Sequence, residues 1–178
     1  MRHAHDAILV GSRTVMLDNP SLTTRLPETN GRHPVRVILD AGEYLSETAA
    51  VFAAPKDAPT WVATTEARDY PFADETLVVP AGTSGVDMAA LAHTLGERGI
   101  ASLLIEGGGA TLASAFEADI VNKVCFFVAP KIIGGHEAIT PVEGVGAEHM
   151  DNALHISELK ATAIGEDILL SGYVIKRI

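Results

Sequence analysis

The chain has 178 residues, of which 47% are hydrophobic, and its 13 Lys and Arg against 23 Asp and Glu give a net charge of −10 at pH 7. A folded chain of this length buries about 70% of its unfolded surface, which predicts one domain over residues 1–178. The acidic balance argues against a nucleic-acid binder, because that affinity comes mainly from neutralising phosphates. No apolar run approaches the roughly 20 residues that span a membrane, and no signal-peptide core is present.

The cysteine and histidine content excludes further chemistries. Cys125 is the only cysteine, which rules out an internal disulfide, and it lies in an apolar run typical of a buried position. A single cysteine fits a reducing, cytoplasmic location. The seven histidines show no metal-ligand spacing, so no zinc or iron site is expected.

The first predicted element is a buried strand at residues 6–10. Thr14 follows, either as a helix N-cap or as a hydroxyl aimed at a ligand. A short helix should end at 18–20, since the residue before a proline disfavours the helical region, and 21–25 then form a loop. Residues 1–40 hold five arginines against four acids, and these arginines suit either an anionic ligand or a solvated surface.

The centre of the chain predicts alternating strands and helices. Strands are expected at 34–40, 60–64, 76–79 and 102–105. Between the last two, a helix capped by Asp87 and ended by Gly99 carries its apolar residues on one face, namely Met88, Leu91, Ala92 and Leu95. A second helix is predicted at 110–118. Such alternation is typical of parallel strands buried on both faces.

Antiparallel strands are expected near the C-terminus. Residues 123–129 form an apolar strand, and residues 156–164 and 168–176 form a hairpin around a turn at 165–167. These late strands, added to a mostly parallel sheet, predict an α/β fold with a mixed sheet.

A glycine loop at the end of a predicted strand is the main candidate site. Glu106 ends the apolar run, and Gly107, Gly108 and Gly109 precede the helix at 110–118. Glycines let main-chain N–H groups approach a phosphate, and a helix start adds unpaired donors. A tight turn without a ligand is the alternative from the local pattern. The dinucleotide fingerprint Gly-x-Gly-x-x-Gly fails at Leu112, so a Rossmann domain is not indicated.

Five blocks in order closely resemble the reductase domain of the bifunctional riboflavin-biosynthesis deaminase/reductase. They are Asp-Ala-Ile-Leu-Val-Gly-Ser-Arg-Thr-Val at 6–15, Asp-Asn-Pro-Ser-Leu-Thr-Thr-Arg at 18–25, Pro-Val-Arg-Val-Ile-Leu-Asp at 34–40, Leu-Ile-Glu-Gly-Gly at 104–108 with Thr-Leu-Ala at 111–113, and Ala-Pro-Lys-Ile-Ile-Gly-Gly at 129–135. Together they make the resemblance specific from about residue 2 to the C-terminus.

The resemblance implies a dihydrofolate-reductase-like fold and a defined reaction. The expected activity is NADPH-dependent reduction of 5-amino-6-(5-phosphoribosylamino)uracil to 5-amino-6-(5-phosphoribitylamino)uracil. The opened ribose would be an imine, hydride would go to its C1′ carbon, and the cofactor would supply the hydride. A homodimer is also implied.

Site residues follow from the matching positions. Substrate contacts are implied for Arg2, Leu22, Arg25 and Glu106. Glu106 is also the catalytic candidate, either orienting the pyrimidine, which we favour, or helping to protonate the imine nitrogen. Cofactor contacts are implied for Thr14, Asp18, Gly108, Gly109, Ala110, Thr111, Leu112, Ala113 and Ser114. Arg13 is a further candidate for the 2′-phosphate of the cofactor.

The N-terminal pattern departs from the family. The first strand of the family's reductase domain and the deaminase domain with its zinc motif have no counterpart, so the domain is expected to be N-terminally incomplete. Two alternative functions therefore stay open. One is a non-catalytic NADPH-binding or dimerisation module, and the other is a dihydrofolate-reductase-like reductase of a different pterin or pyrimidine.

Overall fold

The computed structural model describes residues 1–26, 31–40, 42, 45–53, 57–83 and 85–176. In chain order its helices and strands are β1 (Ala7–Gly11), α1 (Ser12–Asp18), β2 (Val35–Asp40), β3 (Thr60–Thr64), β4 (Glu75–Val78), β5 (Ala81–Gly82), β6 (Gly85–Val86), α2 (Met88–Glu97), β7 (Leu103–Ile105), α3 (Gly109–Glu117), β8 (Lys123–Val128), β9 (Ile156–Ile164) and β10 (Asp167–Val174). Short 3-10 turns lie at Arg2–Ala4 and Met150–Asn152.

The central sheet is five-stranded and parallel, in the order β4-β3-β2-β1-β7. Strands β8, β10 and β9 form a separate antiparallel sheet, and β5 pairs with β6. The predicted α/β class and the C-terminal hairpin are confirmed. Among the described residues, the antiparallel strands form a sheet of their own and do not join the parallel sheet to make the mixed sheet that was expected. Hydrophobic periodicity predicts strands, but it does not predict which strands are hydrogen-bonded neighbours.

Strand β1 lies at the centre of two apolar layers. Its residues Ala7, Ile8, Leu9 and Val10 are at most 1% exposed. Side chains alternate across the strand, so Ala7 and Leu9 pack with α2 and α3, whereas Ile8 and Val10 pack with Val15 and Leu22. The sheet is therefore covered on both faces, as the continuous apolar runs predicted.

The helix termini test two sequence predictions. The Asp87 carboxylate accepts hydrogen bonds from the backbone nitrogens of Ala89 at 2.9 Å and Ala90 at 3.0 Å, which confirms it as the N-cap of α2. The N-cap role for Thr14 is wrong. Helix α1 begins at Ser12 after an extended Gly11, so Thr14 falls within its first turn.

The predicted burial of Cys125 differs from the structure. Its side chain is partly exposed in β8 and forms no disulfide. In the described part of the chain, no helix is long and apolar enough to cross a membrane.

Asp6 fastens the amino-terminal ends of β1 and β7 together. Its Oδ2 accepts from the nitrogens of Ala101 at 3.1 Å and Ser102 at 2.9 Å, and from the Ser102 hydroxyl at 2.9 Å. Its Oδ1 accepts from the guanidinium of Arg32. These donors, led by Arg32 and then Ser102, hold the pKa of Asp6 at about 2, below its usual value of 3.8.

The depressed pKa gives a signed prediction for stability against pH. The ionised Asp6 contributes stability that is fully present above about pH 4 and is lost as the pH falls toward 2. We expect urea unfolding to show Asp6→Asn less stable than the parent at pH 6, with the difference shrinking between pH 4 and pH 2. Asp69→Asn, at an exposed position, is the control. A gap between parent and Asp6→Asn that is constant over this range would contradict the assignment.

Candidate functional site

The carboxyl ends of β1 and β7 meet at one edge of the parallel sheet. Glu106 follows β7, and its backbone nitrogen donates to the carbonyl of Leu9 at 2.9 Å, which extends the β1–β7 ladder by one residue. Its position is therefore set by the sheet. Ligands of open α/β sheets bind at such an edge.

An ion pair joins two of the predicted substrate residues. Arg2 Nε lies 3.1 Å from Glu106 Oε1, and Arg2 Nη2 lies 2.6 Å from Glu106 Oε2. Arg2 Nη1 also donates to the carbonyl of Thr23 at 3.1 Å. A planar guanidinium that meets both carboxylate oxygens fixes their direction. Glu106 thus presents its carboxylate oxygens to the cavity edge as hydrogen-bond acceptors in a fixed direction.

Arg25 lies beside this pair. A cavity of about 440 Å³ is lined by Arg2, Arg25, Glu106 and Phe127, with residues of the 20–26 loop completing its wall. Arg25 Nη2 donates to the hydroxyl of Ser21 at 3.3 Å, and the side chain is exposed. The structure therefore brings three of the four predicted substrate residues to one cavity. Phe127 was not singled out by the sequence, where it was one apolar residue in a predicted strand.

Leu22, the fourth predicted substrate residue, anchors the loop from inside. It is 2% exposed, and its side chain packs with Ile8, Val10 and Val15. A contact between Leu22 and a substrate would therefore run through its main chain. Its φ of +54° is a left-handed conformation that leucine rarely adopts.

A buried arginine holds the same loop. Arg36 is 2% exposed, and its Nη1 donates to the carbonyl of Ser21 at 3.3 Å while its Nη2 donates to the carbonyl of Ala58. Burial lowers the pKa of Arg36 from its usual value. Arg36 of β2 thus holds the carbonyl of Ser21, the residue before Leu22, while the Leu22 side chain packs against β1. These two contacts hold the strained turn on both sides.

Hydroxyl groups surround the glycine loop. Gly107 and Gly108 have φ values of +85° and +75°, so both occupy the left-handed region that favours glycine. A Cβ on Gly108 would lie 3.2 Å from Thr14 Oγ1 and 3.3 Å from Thr111 Oγ1. The structure thus brings together Thr14, Gly108 and Thr111, three of the predicted cofactor residues, at the start of α3.

The remaining predicted cofactor residues differ in access. Ala113 is 6% exposed and faces the core. The Ser114 hydroxyl donates to the carbonyl of Ala110 at 3.1 Å, within α3. Asp18 is exposed at the last position of α1. Partly exposed positions in α3 are Gly109, Leu112 and Ser114, and Ala110 is exposed.

An acid that the sequence did not single out lies at the start of α3. The backbone nitrogen of Glu143 donates to the carbonyl of Gly109 at 3.2 Å, and its Cδ is 2.7 Å from the place a Cβ on Gly109 would take. The positive end of a helix dipole stabilises a carboxylate there. An anionic ligand at this helix start would therefore compete with Glu143. No sequence pattern connects Glu143 with the loop, since 33 residues separate the two.

Metal-ligating residues do not cluster at this edge. Within the ranges that the structure describes, no group of three His, Cys, Asp or Glu side chains could hold a metal ion.

The sequence pattern of the RibD C-terminal domain family matches residues 1–170. The chain belongs to this family. The riboflavin biosynthesis protein RibD of Actinobacillus pleuropneumoniae is 38% identical over 98% of the chain, which covers 47% of that protein. The 2,5-diamino-6-ribosylamino-4(3H)-pyrimidinone 5′-phosphate reductase of Methanothermobacter thermautotrophicus is 34% identical, with 99% of the chain and 82% of the reductase covered.

Solved structures agree with the family assignment. The deaminase/reductase of Thermotoga maritima superposes with a TM-score of 0.73 at 30% identity, over 98% of this chain and 47% of that one. Acinetobacter baumannii RibD superposes with a TM-score of 0.83 over 98% of this chain and 48% of that one, and at 23% identity it shows the shared fold alone. The chain spans about half the length of the first curated relatives that it matches. The resemblance inferred from the five sequence blocks is confirmed.

Proposed function

We propose that the chain catalyses the NADPH-dependent reduction of 5-amino-6-(5-phosphoribosylamino)uracil to its ribitylamino product in riboflavin biosynthesis. The observation that carries the proposal is the cavity in which Arg2, Arg25 and Glu106 meet. Glu106 directly precedes Gly107, so the cavity adjoins the glycine loop. That arrangement offers cations for a phosphate and an acceptor for a pyrimidine ring. No observation favours a pterin substrate or a non-catalytic module.

The glycine loop has the chemistry needed for a dinucleotide phosphate. The space beside Gly108 would be filled by a Cβ, and the hydroxyls of Thr14 and Thr111 border it. Main-chain N–H groups at the start of α3 add further donors. When bound, the nicotinamide supplies the hydride, and this chain positions the acceptor carbon next to it. Arg13, exposed on α1, is our candidate for the cofactor's 2′-phosphate.

The substrate residues act by holding and orienting. Arg25 lies at the cavity rim with no carboxylate partner among the described residues, and we assign it to the phosphoribosyl group. Glu106, fixed by Arg2 and by the β1–β7 ladder, accepts from the pyrimidine N–H groups. These local cations meet an anionic substrate on a chain whose net charge is −10.

The activity assay tests both substrate assignments. We expect the chain to oxidise NADPH only when the phosphoribosylaminouracil is present, as followed by absorbance. Arg25→Met should raise KM at least about tenfold, because a charge-assisted contact to phosphate is worth roughly 1.5–3 kcal/mol. Glu106→Gln should lower kcat/KM by a similar factor. Arg98→Met, whose partner Glu75 belongs to β4, is the matched control. NADPH oxidation that is independent of substrate, or absent, would count against the proposal.

A pair of glycine variants tests the cofactor position. Gly108 and Gly99 both have positive φ, at +75° and +81°, but only a Cβ at Gly108 meets other atoms. Both Gly108→Asp and Gly99→Asp therefore place a side chain on a backbone of positive φ, and only Gly108→Asp sets a carboxylate against the pyrophosphate. Calorimetry should show NADPH binding at least about tenfold weaker for Gly108→Asp and unchanged for Gly99→Asp. Equal affinities in the two variants would show that the cofactor binds elsewhere.

We also propose that two copies of the chain pair through the C-terminal part. Residues 127–175 expose a large amount of apolar surface for a domain of this size. The exposed side chains are Phe127, Val128, Ile132, Ile133, Ile139, Val145, Met150, Leu159, Ile164, Ile168, Tyr173 and Ile175. A second copy would cover these side chains with the same surface, as in a two-fold dimer.

A cytoplasmic location is our inference from the single cysteine, Cys125, which is free.

Light scattering across a range of chain concentrations tests the dimer. Leu159 on β9 is 62% exposed and Val78 on β4 is 58% exposed. A lysine at either position should therefore change the free energy of unfolding of the monomer only slightly. We expect Leu159→Lys to raise the dimer dissociation constant at least about tenfold through burial of an unpaired charge, and Val78→Lys to leave it unchanged. A chain that stays monomeric at the highest concentrations would refute the pairing.

A further inference from the structure

An arginine stands at the carboxyl edge of the parallel sheet, after β3. The Arg68 side chain is 42% exposed. Its Nη1 lies 3.7 Å from Oδ2 of Asp40, the last residue of β2, and its Nη2 lies 3.8 Å from Oε2 of Glu66. Both distances are longer than a hydrogen bond. The two acids therefore attract the guanidinium without taking up its N–H groups in hydrogen bonds.

Buried contacts fix the acid beneath Arg68. The Asp40 side chain is fully buried, and it accepts from the Tyr70 hydroxyl and from the backbone nitrogen of Gly42 at 3.0 Å. Burial and then Asp40 raise the pKa of Tyr70, so the hydroxyl keeps the proton that it donates. Arg68 also lies next to Gly42, since a Cβ there would be 3.9 Å from its Nη2. The carboxylate is thus fixed on the protein side, and Arg68 stands between it and the solvent.

Helix α1 and the segment that carries Arg68 lie on the same face of the sheet. Val15 of α1 and Tyr70, two residues after Arg68, belong to one apolar cluster with Ile8 of β1. Arg13 is exposed in the first turn of α1, directly after the end of β1. Arg13 and Arg68 therefore follow the ends of two strands on one face of the sheet.

The order of the strands sets the direction in which a bound dinucleotide would run. The substrate cavity adjoins Glu106 at the end of β7, the last strand of the parallel sheet. The glycine loop meets the end of β1, since a Cβ on Gly11 would lie 2.8 Å from Thr111 Oγ1. Strands β2 and β3 lie on the other side of β1, about 5 and 10 Å away. A cofactor with its nicotinamide at the cavity and its pyrophosphate on the loop would therefore extend its adenosine toward Arg68.

We propose that Arg68 binds the 2′-phosphate of the cofactor's adenosine and makes the chain select NADPH over NADH. The inference rests on the proposed function, because it takes the place of the pyrophosphate from the glycine loop. A guanidinium is well matched to a phosphate, since its planar N–H groups meet two oxygens at once. Arg68 joins Arg13 as a cofactor candidate, and the sequence did not indicate it because it lies in a loop between two predicted strands.

Calorimetry with NADPH and with NADH tests the assignment without turnover. The two cofactors differ only in the 2′-phosphate, so a residue that binds this group affects NADPH alone. We expect Arg68→Met to weaken NADPH binding at least about tenfold and to leave NADH binding unchanged, because a charge-assisted contact is lost. Arg68→Lys should keep part of the NADPH affinity, since it retains the charge but not the planar fork.

Two results would overturn the proposal. Equal losses of NADPH and NADH affinity in Arg68→Met would show that Arg68 acts only through the structure of the loop. Unchanged NADPH affinity would leave the 2′-phosphate to other residues, such as Arg13.

Arg98→Met is the matched control. The Arg98 side chain is 35% exposed and pairs with Glu75, the first residue of β4, so it stands at the opposite edge of the sheet. Both cofactors should bind this variant as they bind the parent. A loss of NADPH affinity in Arg98→Met equal to that in Arg68→Met would reduce the effect to a change in net charge and refute the local contact.

Glu66→Gln should change the affinity in the other direction. The Glu66 side chain is 75% exposed, and its carboxylate lies beside the guanidinium that would meet the phosphate. Removal of this negative charge should tighten NADPH binding about two- to fivefold and leave NADH unchanged. NADPH affinity that does not rise in Glu66→Gln would count against a phosphate at Arg68.

Steady-state kinetics separate the cofactor phosphate from the substrate phosphate. The substrate phosphate is assigned to Arg25, so Arg68→Met should raise KM for NADPH at least about tenfold without changing kcat or the KM for the phosphoribosylaminouracil. A raised KM for the substrate alone would place the substrate phosphate at Arg68 and refute the cofactor assignment.

The binding and kinetic readouts separate the possible failures. A chain whose NADPH affinity depends on Arg68 but which does not turn over contradicts the proposed function and leaves the Arg68 assignment supported. A chain that turns over substrate with an NADPH affinity insensitive to Arg68 contradicts the assignment and leaves the proposed function supported. A chain that binds neither cofactor contradicts both.

Discussion

The parallel pairing of β1 with both β2 and β7 is the constraint on which the site depends. Backbone hydrogen bonds on both edges of a fully buried strand leave β1 no freedom to slide, because a shift of one residue would turn Ile8 and Leu9 to the wrong layers. All carboxyl ends of the sheet then fall at one edge. Glu106 and the glycine loop stand there because the ladder continues one residue beyond β7.

The site places local charge on a chain of the opposite overall sign. Arg2 is already engaged by Glu106, which leaves Arg25 as the cavity cation with no carboxylate partner among the described residues. In the proposed function the pair and Arg25 have different tasks. The pair would fix an acceptor in direction, and Arg25 would supply net attraction for an anion.

Local patterns in the sequence predicted the elements well. Apolar runs located the strands of the parallel sheet and of the β8-β10-β9 sheet within one or two residues, and Asp87 marked a helix start, because apolar periodicity and capping are set by neighbours along the chain. The short strands β5 and β6 carry no such pattern and were not predicted. Long-range geometry was not accessible in the same way. The contact between Arg2 and Glu106 joins residues 104 apart, and the burial of Leu22 follows from packing against β1. Family resemblance predicted Arg2 and Glu106 as site residues, but it did not show that they meet.

The spacing of the β1 partners along the chain also bears on how the site forms during folding. Ala7 pairs with Val35 on one side of β1 and with Leu103 on the other. Closing the longer loop costs more chain entropy, and non-local parallel pairing of this kind slows folding. Because Glu106 directly follows β7, it can reach Arg2 only once β7 has paired with β1. A chain in which β7 had not docked would therefore lack the cavity, even with β1 to β4 paired as in the native sheet.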